Sequence, residues 1–266
     1  MDYITLNDEN RLPAFGLGTW GLRGESCADT VAKAIGLGYQ LIDTARMYGN
    51  EKDVGRGIRL SKVRRERLFV TSKVCSPYTS YQAAKRIVEE SLDALGLEYI
   101  DLYLIHEPYG TSPEMYEALK EAKKQGLIRS IGISNFNEAE YLDFIKGCGI
   151  IPAVNQVENH VYFLRSDLQK MMKAHGTVMQ GWAPFTEGMR PVFKEKILKD
   201  IGKRHGKTAG QIALKYLLQN GVPTITKSSH VERLKENLDI FDFSLTAEEI
   251  KEIHGLDEGK SLFGWY

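Results

Sequence analysis

Neither sign of charge is in excess: 35 Lys and Arg balance 35 Asp and Glu. Nothing global therefore draws the chain to nucleic acid or to an anionic membrane, and any anion site has to be local. Cysteine is scarce. Cys27, Cys75 and Cys148 are odd in number and widely spaced, which argues against a disulfide framework or a zinc site and fits reduced thiols. No apolar run approaches the roughly 20 residues of a membrane span. The opening stretch MDYITLNDENRLPAFG lacks a basic-then-apolar leader pattern. No low-complexity segment, linker or near-exact repeat divides the sequence. A cytoplasmic protein with one domain over residues 1–266 is expected, without nucleic-acid or membrane partners and monomeric. With 42% hydrophobic and 26% charged residues, the chain can bury a substantial core.

What is present is a recurring order: a short apolar run, a polar turn, then a stretch with helical spacing. The runs are FGLGTW (15–20), LID (41–43), LFVTSKV (68–74), IDLYLIH (100–106), SIGISN (130–135), AVNQVE (153–158), TVMQGW (177–182) and PTITK (223–227). Many of the helical segments end in Gly, a natural stop, and several start at Ser, Asn or Thr, natural caps. Strands that alternate with helices pair in parallel through helical crossovers. Eight such units in about 250 residues match a closed (β/α)8 (TIM) barrel. ITL and RLPA around NDEN predict a hairpin ahead of it. The segment after Trp182 is too long for a turn, which predicts extra structure after the seventh strand. TAEEIKEIHGLDEG predicts a last helix capped by Thr246 and Glu249.

An open doubly wound sheet competes, because Gly16, Gly18 and Gly21 spell G-x-G-x-x-G and Asp43 ends the next strand. Against it, LRGES separates the glycines from a helix expected to begin after Ser26, and Trp20 would crowd a pyrophosphate. The polar residues also fall at the ends of all eight strands, as a barrel requires.

In a barrel, those strand ends converge on one face. They hold Asp43, Lys73, His106, Ser134, Asn135, Gln156, Trp182 and Lys227, with Tyr48 on the loop after Asp43. Tyrosine, with a reference pKa of about 10, is a weak acid at neutral pH. A lysine beside it is expected to lower that pKa, and Asp43 would neutralise a buried lysine. His106 can hydrogen-bond a substrate oxygen. Such a set suits protonation of a developing alkoxide. Taken singly, Asp43 reads as a turn former, Lys73 as a solvated cation and Tyr48 as packing. Two other readings stay open: a cofactor-binding sensor without turnover, and a metal-dependent hydrolase using Asp43, His106, Glu158 and His160, for which no H-x-H or H-E-x-x-H spacing is present.

The segments DTARMYGNE, TSKV, LYLIHEP, IGISNF, VNQVE and ITKSSHVERLKEN, in this order over most of the chain, resemble the aldo-keto reductases. The resemblance implies a (β/α)8 barrel, NADPH/NADP+ and reversible reduction of aldehydes and ketones without a metal. Tyr48 would be the acid, tuned by Lys73 and Asp43, and His106 would orient the carbonyl. Ser134, Asn135 and Gln156 match positions that hold the nicotinamide carboxamide, and Trp182 stands where the family more often stacks a Tyr on the ring. Asp43, Thr19, Trp20 and Phe185 also match cofactor-binding positions. Lys227, Ser228 and Arg233 would hold the 2′-phosphate, with Glu236 and Asn237 near the adenine. PFTEGMRP would fold over the pyrophosphate. Trp20, Met47, His106, Glu107 and Tyr109 would form the substrate pocket. Glu107 replaces a frequent Trp, and the sequence ends with SLFGWY, so an open rim and broad acceptance of carbonyl compounds are expected.

Overall fold

In the computed structural model, which describes residues 2–264, eight parallel strands close into a barrel. A hairpin of β1 (Tyr3–Thr5) and β2 (Arg11–Pro13) precedes it. The barrel strands are β3 (Phe15–Gly18), β4 (Leu41–Asp43), β5 (Phe69–Val74), β6 (Ile100–Ile105), β7 (Ile128–Ser134), β8 (Val154–Glu158), β9 (Val178–Trp182) and β10 (Thr224–Thr226). β10 closes the ring by pairing with both β3 and β9. All eight predicted runs are strands, shorter at one or both ends except for LID and for β7, which starts two residues early.

The helices on the outside are α1 (Gly24–Leu37), α2 (Glu51–Ser61), α3 (Tyr81–Leu95), α4 (Ser112–Lys124), α5 (Glu138–Gly147), α6 (Ser166–Ala174), α7 (Lys196–His205), α8 (Ala209–Gln219), α9 (Val231–Leu238) and α10 (Ala247–His254). Ser80, Asn137, Thr208 and Thr246 cap α3, α5, α8 and α10 through their side chains, and the Thr246–Glu249 capping box is present. The extra helix after the seventh barrel strand is α7. Two expectations are corrected. α1 begins at Gly24 rather than after Ser26, though still outside the glycine motif. α2 was not anticipated, because Gly55 and Gly57 dilute its helical signal.

Alternation along the strands sorts the barrel interior into layers. Toward the N-terminal end, Leu41, Phe69, Leu102, Leu104, Val154 and Ile225 form an apolar cluster that Leu6 and Leu12 of the hairpin plug from below. Two residues further along β4, and at the same parity on its neighbours, the interior turns polar: Asp43, Lys73, His106, Ser134 and Gln156 lie at the C-terminal ends, all buried. Gly16 and Gly132 make room lower down, since a Cβ on either would sit 2.4 Å from Leu41 or 2.5 Å from the Val154 carbonyl. Outside the strands, a second and larger apolar core packs them against the helices.

Candidate active site

The apolar floor forces charge to pair in the layer above it. Lys73 is fully buried, and its Nζ donates to Asp43 Oδ1 at 2.6 Å, to the Thr44 carbonyl at 3.0 Å and to the Tyr48 hydroxyl at 3.4 Å. Asp43 Oδ2 accepts from Gln156 Nε2 at 2.7 Å, and the same nitrogen donates to Gln180 Oε1 at 2.9 Å. A continuous hydrogen-bonded chain thus crosses the barrel from β9 to Tyr48. Gln180 was not singled out in the sequence. Its place two residues before Trp182 on an alternating strand is the signal that finds it.

Burial works against the Lys73 ammonium, but Asp43 and Tyr48 outweigh it, and the lysine pKa is raised. At Tyr48, burial raises the phenol, Lys73 pulls it down and Asp43 pushes it up, with a net rise. The lowering expected from lysine is therefore present but outweighed. The phenol keeps its proton at neutral pH. His106 is pushed down to about 3, first by burial and then by Lys73. Its imidazole is neutral, and its buried Nδ1 has no hydrogen-bond partner among the described residues. A neutral imidazole beside a phenol can grip one oxygen atom together with it.

The ring of Tyr48 lies 4.9 Å from Trp20 and 5.7 Å from His106, both edge-on. These rings form one end of a cavity of about 630 Å³, well within the size range of small-molecule sites. Thr19, Met47, Ser134, Asn135, Gln156, Trp182, Phe185 and Lys227 also line it. Trp182 Nε1 donates to Asn135 Oδ1 at 2.9 Å, and Asn135 Nδ2 donates to the His106 carbonyl at 3.0 Å. Asn135 adopts φ 64°, a region asparagine tolerates better than most residues. Ser134 Oγ donates to the Gln156 carbonyl at 2.7 Å, and Thr19 Oγ1 to that of Asp43 at 3.0 Å. These contacts make the indole a fixed wall and keep the amides at the strand ends.

Other sequence candidates lie off the cavity. Tyr109 accepts from the Ser76 amide at 2.9 Å and donates to Glu107 at 2.7 Å, and neither Tyr109 nor Glu107 lines the cavity. Ser228 engages His230, Asn237 contacts Thr226, and Glu236 accepts from Thr208. Lys227, which does line the cavity, and Arg233, which does not, are exposed and form no salt bridge with a described residue. Glu158 and His160 pair with each other at 3.0 Å, and Glu158 also accepts from Ser261 and from the Leu262 amide. They hold a C-terminal segment in place rather than joining Asp43 and His106. That segment was not anticipated as part of the site. Arg190 and Glu258 form a bidentate pair, and Phe263 lies 5.0 Å from Trp182 and lines the cavity. The rim is thus less open than the expected loss of a C-terminal loop implied.

The apolar and aromatic walls, the buried cation behind a phenol and the row of amides at strand ends stand together at one end of a closed barrel. The chain belongs to the aldo/keto reductase family, whose sequence model matches residues 14–258. It is 39% identical to the 9,11-endoperoxide prostaglandin H2 reductase of Trypanosoma cruzi, over 98% of this chain and 93% of that protein. It is 37% identical to the methylglyoxal reductase DkgA of Escherichia coli K12, over 97% and 94% of the two chains. The solved structure of MGS-M4, an aldo-keto reductase from a deep-sea metagenome library, superposes with a TM-score of 0.96 at 35% identity, covering 98% of this chain and 97% of that one.

Proposed function

We propose that the protein reduces aldehydes and ketones to alcohols with NADPH, reversibly, using Tyr48 as the acid. The observation that carries this reading is the placement of the Tyr48 hydroxyl within 3.4 Å of a lysine that is itself buried and neutralised by Asp43. When bound, the reduced nicotinamide supplies a hydride. His106, with a neutral imidazole lining the cavity, would orient the carbonyl oxygen toward Tyr48, and Tyr48 would deliver the proton. Lys73 favours the phenolate that this leaves behind, and Asp43 holds the lysine in place. Gln156, whose NH2 is spent on Asp43 and Gln180, would meet the carboxamide with its oxygen. Trp182 offers a flat face for the ring.

Two features support a nicotinamide fit: the cavity runs from Tyr48 to Lys227, and it passes Gly18, where an added Cβ would meet atoms only at 3.7 Å and beyond. Lys227 and Arg233, which form no salt bridge with a described residue, would take the 2′-phosphate, with Ser228 as a neutral donor. Arginine grips phosphate in a planar, bidentate way. Replacing Lys227 and Arg233 with neutral residues is expected to raise the NADPH KM far more than the NADH KM. Equal changes for the two coenzymes would refute the phosphate assignment. The pocket end, with Trp20 and Met47 exposed and Phe263 opposite, fits a range of neutral carbonyl compounds. NADPH oxidation across a panel of aldehydes and ketones, absent in Tyr48→Phe, tests the reading as a whole. A barrel that binds NADPH tightly and oxidises it with none of them would be a sensor instead.

The depressed His106 pKa gives a further expectation. Because the folded protein holds this histidine down to about 3, its ionisation does not limit turnover between pH 5 and 8. Its effect is on stability. The unfolded chain takes up a proton near the ordinary value of about 6.5, so the contribution is complete above that pH and declines as pH falls toward the folded value. Between pH 7 and 5, wild type should lose about 2 kcal/mol more than His106→Gln in urea unfolding. Identical pH dependence in the two proteins would contradict it.

A further inference from the structure

Tyr48 sits on a single 3-10 turn, Arg46–Tyr48, which buries no residue of its own and ends at Gly49 with φ 63°. The hydroxyl's contact with Lys73 is long, at 3.4 Å, so the placement of the turn bears directly on it. The two residues that follow the turn hold it from opposite sides. Asn50 is 1% exposed and uses every polar atom of its side chain. Its Nδ2 donates to the carbonyls of Thr19 at 2.8 Å and Leu22 at 3.0 Å, and its Oδ1 accepts from Thr44 Oγ1 at 2.7 Å. Glu51 accepts from Ser72 Oγ at 2.6 Å and faces Arg46 at 3.4 Å. One bracket thus ties the turn to the loop that carries Trp20, and the other ties it to the strand residue beside Lys73.

We propose that Asn50 is a positioning residue for Tyr48, stapling the Trp20 loop to the end of β4 so that the phenol stays against both Trp20 and Lys73. The proposal rests on the reading of Tyr48 as the acid. The chemistry of the site asks for an amide. Two backbone carbonyls need donors and one hydroxyl needs an acceptor, all three in a buried space. Alanine removes all three bonds, leaving the Thr19 carbonyl with the Leu22 amide alone. Once the staple opens, the turn is free to move by the ångström or so that separates a lysine contact from none, and the phenol loses the ammonium that favours its ionised form.

The test compares wild type, Asn50→Ala, Thr44→Val and Tyr48→Phe as full-length proteins. Carbonyl reduction and alcohol oxidation are followed against pH, and NADPH binding is measured separately by protein fluorescence. For Asn50→Ala, kcat should fall about 100-fold, the size of effect that a misplaced group of about 1 Å produces. NADPH affinity should stay within about twofold, and the midpoint of alcohol oxidation should move up by about one pH unit as the lysine pull weakens. Thr44→Val removes one of the three bonds with little change of shape, so it should shift both quantities in the same direction by less. It carries the test if Asn50→Ala does not fold. An unshifted midpoint in the folded variants, whether kcat is retained or falls only in proportion to folded protein, overturns the proposal. Should Tyr48→Phe turn over like wild type, the acid assignment itself falls. Should Tyr48→Phe be inactive while the Asn50 and Thr44 variants match wild type in kcat and midpoint, the inference alone fails.

Discussion

Tyr48→Phe is expected to lower kcat by roughly a factor of 10² to 10⁴, the range that a positioned general acid contributes, with NADPH binding unchanged. The expectation is sharp because the substitution removes one oxygen and little else. The ring keeps its edge contacts with Trp20 at 4.9 Å and His106 at 5.7 Å. Lys73 gives up its longest contact, at 3.4 Å, and retains Asp43 at 2.6 Å and the Thr44 carbonyl at 3.0 Å. No buried charge is orphaned, so stability should hold and a loss of rate reports on proton delivery. His106 cannot take over the role, since an imidazole pushed down to about 3 carries no second proton at neutral pH. Stopped-flow and steady-state NADPH absorbance with an aldehyde measure it. A variant that turns over at the wild-type rate would leave Tyr48 as a wall of the pocket and nothing more.

Much of this site was legible in the sequence because barrel geometry does the gathering. A polar residue that follows an apolar run by alternation has one place to go, the carboxyl rim. Asp43, Lys73, His106 and Gln156 each lie at the end of such a run and meet there. Three things were not legible. The first is α2. Glycine costs about 1 kcal/mol in a helix interior, so EKDVGRGIRLS carries a weak helical signal. The glycines serve close approach: a Cβ at Gly55 would fall 2.0 Å from the Leu95 carbonyl, and one at Gly57 2.6 Å from that of Ala28. The second is the balance at Tyr48, where burial and Asp43 oppose Lys73. Residue types reveal the opposing causes but not their sum. The third is the return of the C-terminal segment to the rim. Its anchors, Glu158 with Ser261 and Arg190 with Glu258, join positions 103 and 68 residues apart and leave no local pattern. Glu107 and Tyr109 illustrate the same limit from the other side: adjacency to His106 in sequence placed them near the pocket, but their bonds to each other and to Ser76 hold them off its lining.

Lys73→Met should abolish turnover and destabilise the fold together, and a second substitution separates the two effects. Lys73 and Asp43 are 0% and 1% exposed in their side chains, so removing the cation strands a carboxylate in the barrel with Gln156 as its remaining partner. Breaking a buried pair from one side typically costs about 3–5 kcal/mol, because the surviving charge is left uncompensated. In a domain of this size that corresponds to a fall in Tm of roughly 10 °C. Adding Asp43→Asn removes the stranded charge while keeping an oxygen for the Gln156 amide to meet. Replacing both members of a buried pair by neutral groups of similar shape is often close to neutral in stability. The double variant should therefore regain most of the lost Tm and still show no turnover, since nothing then eases ionisation of the Tyr48 phenol. Recovery of both stability and rate would make the pair a piece of scaffolding. A single variant as stable as wild type would mean that the Asp43 carboxylate is not held as a charge at all, and the electrostatic reading of the rim would go with it.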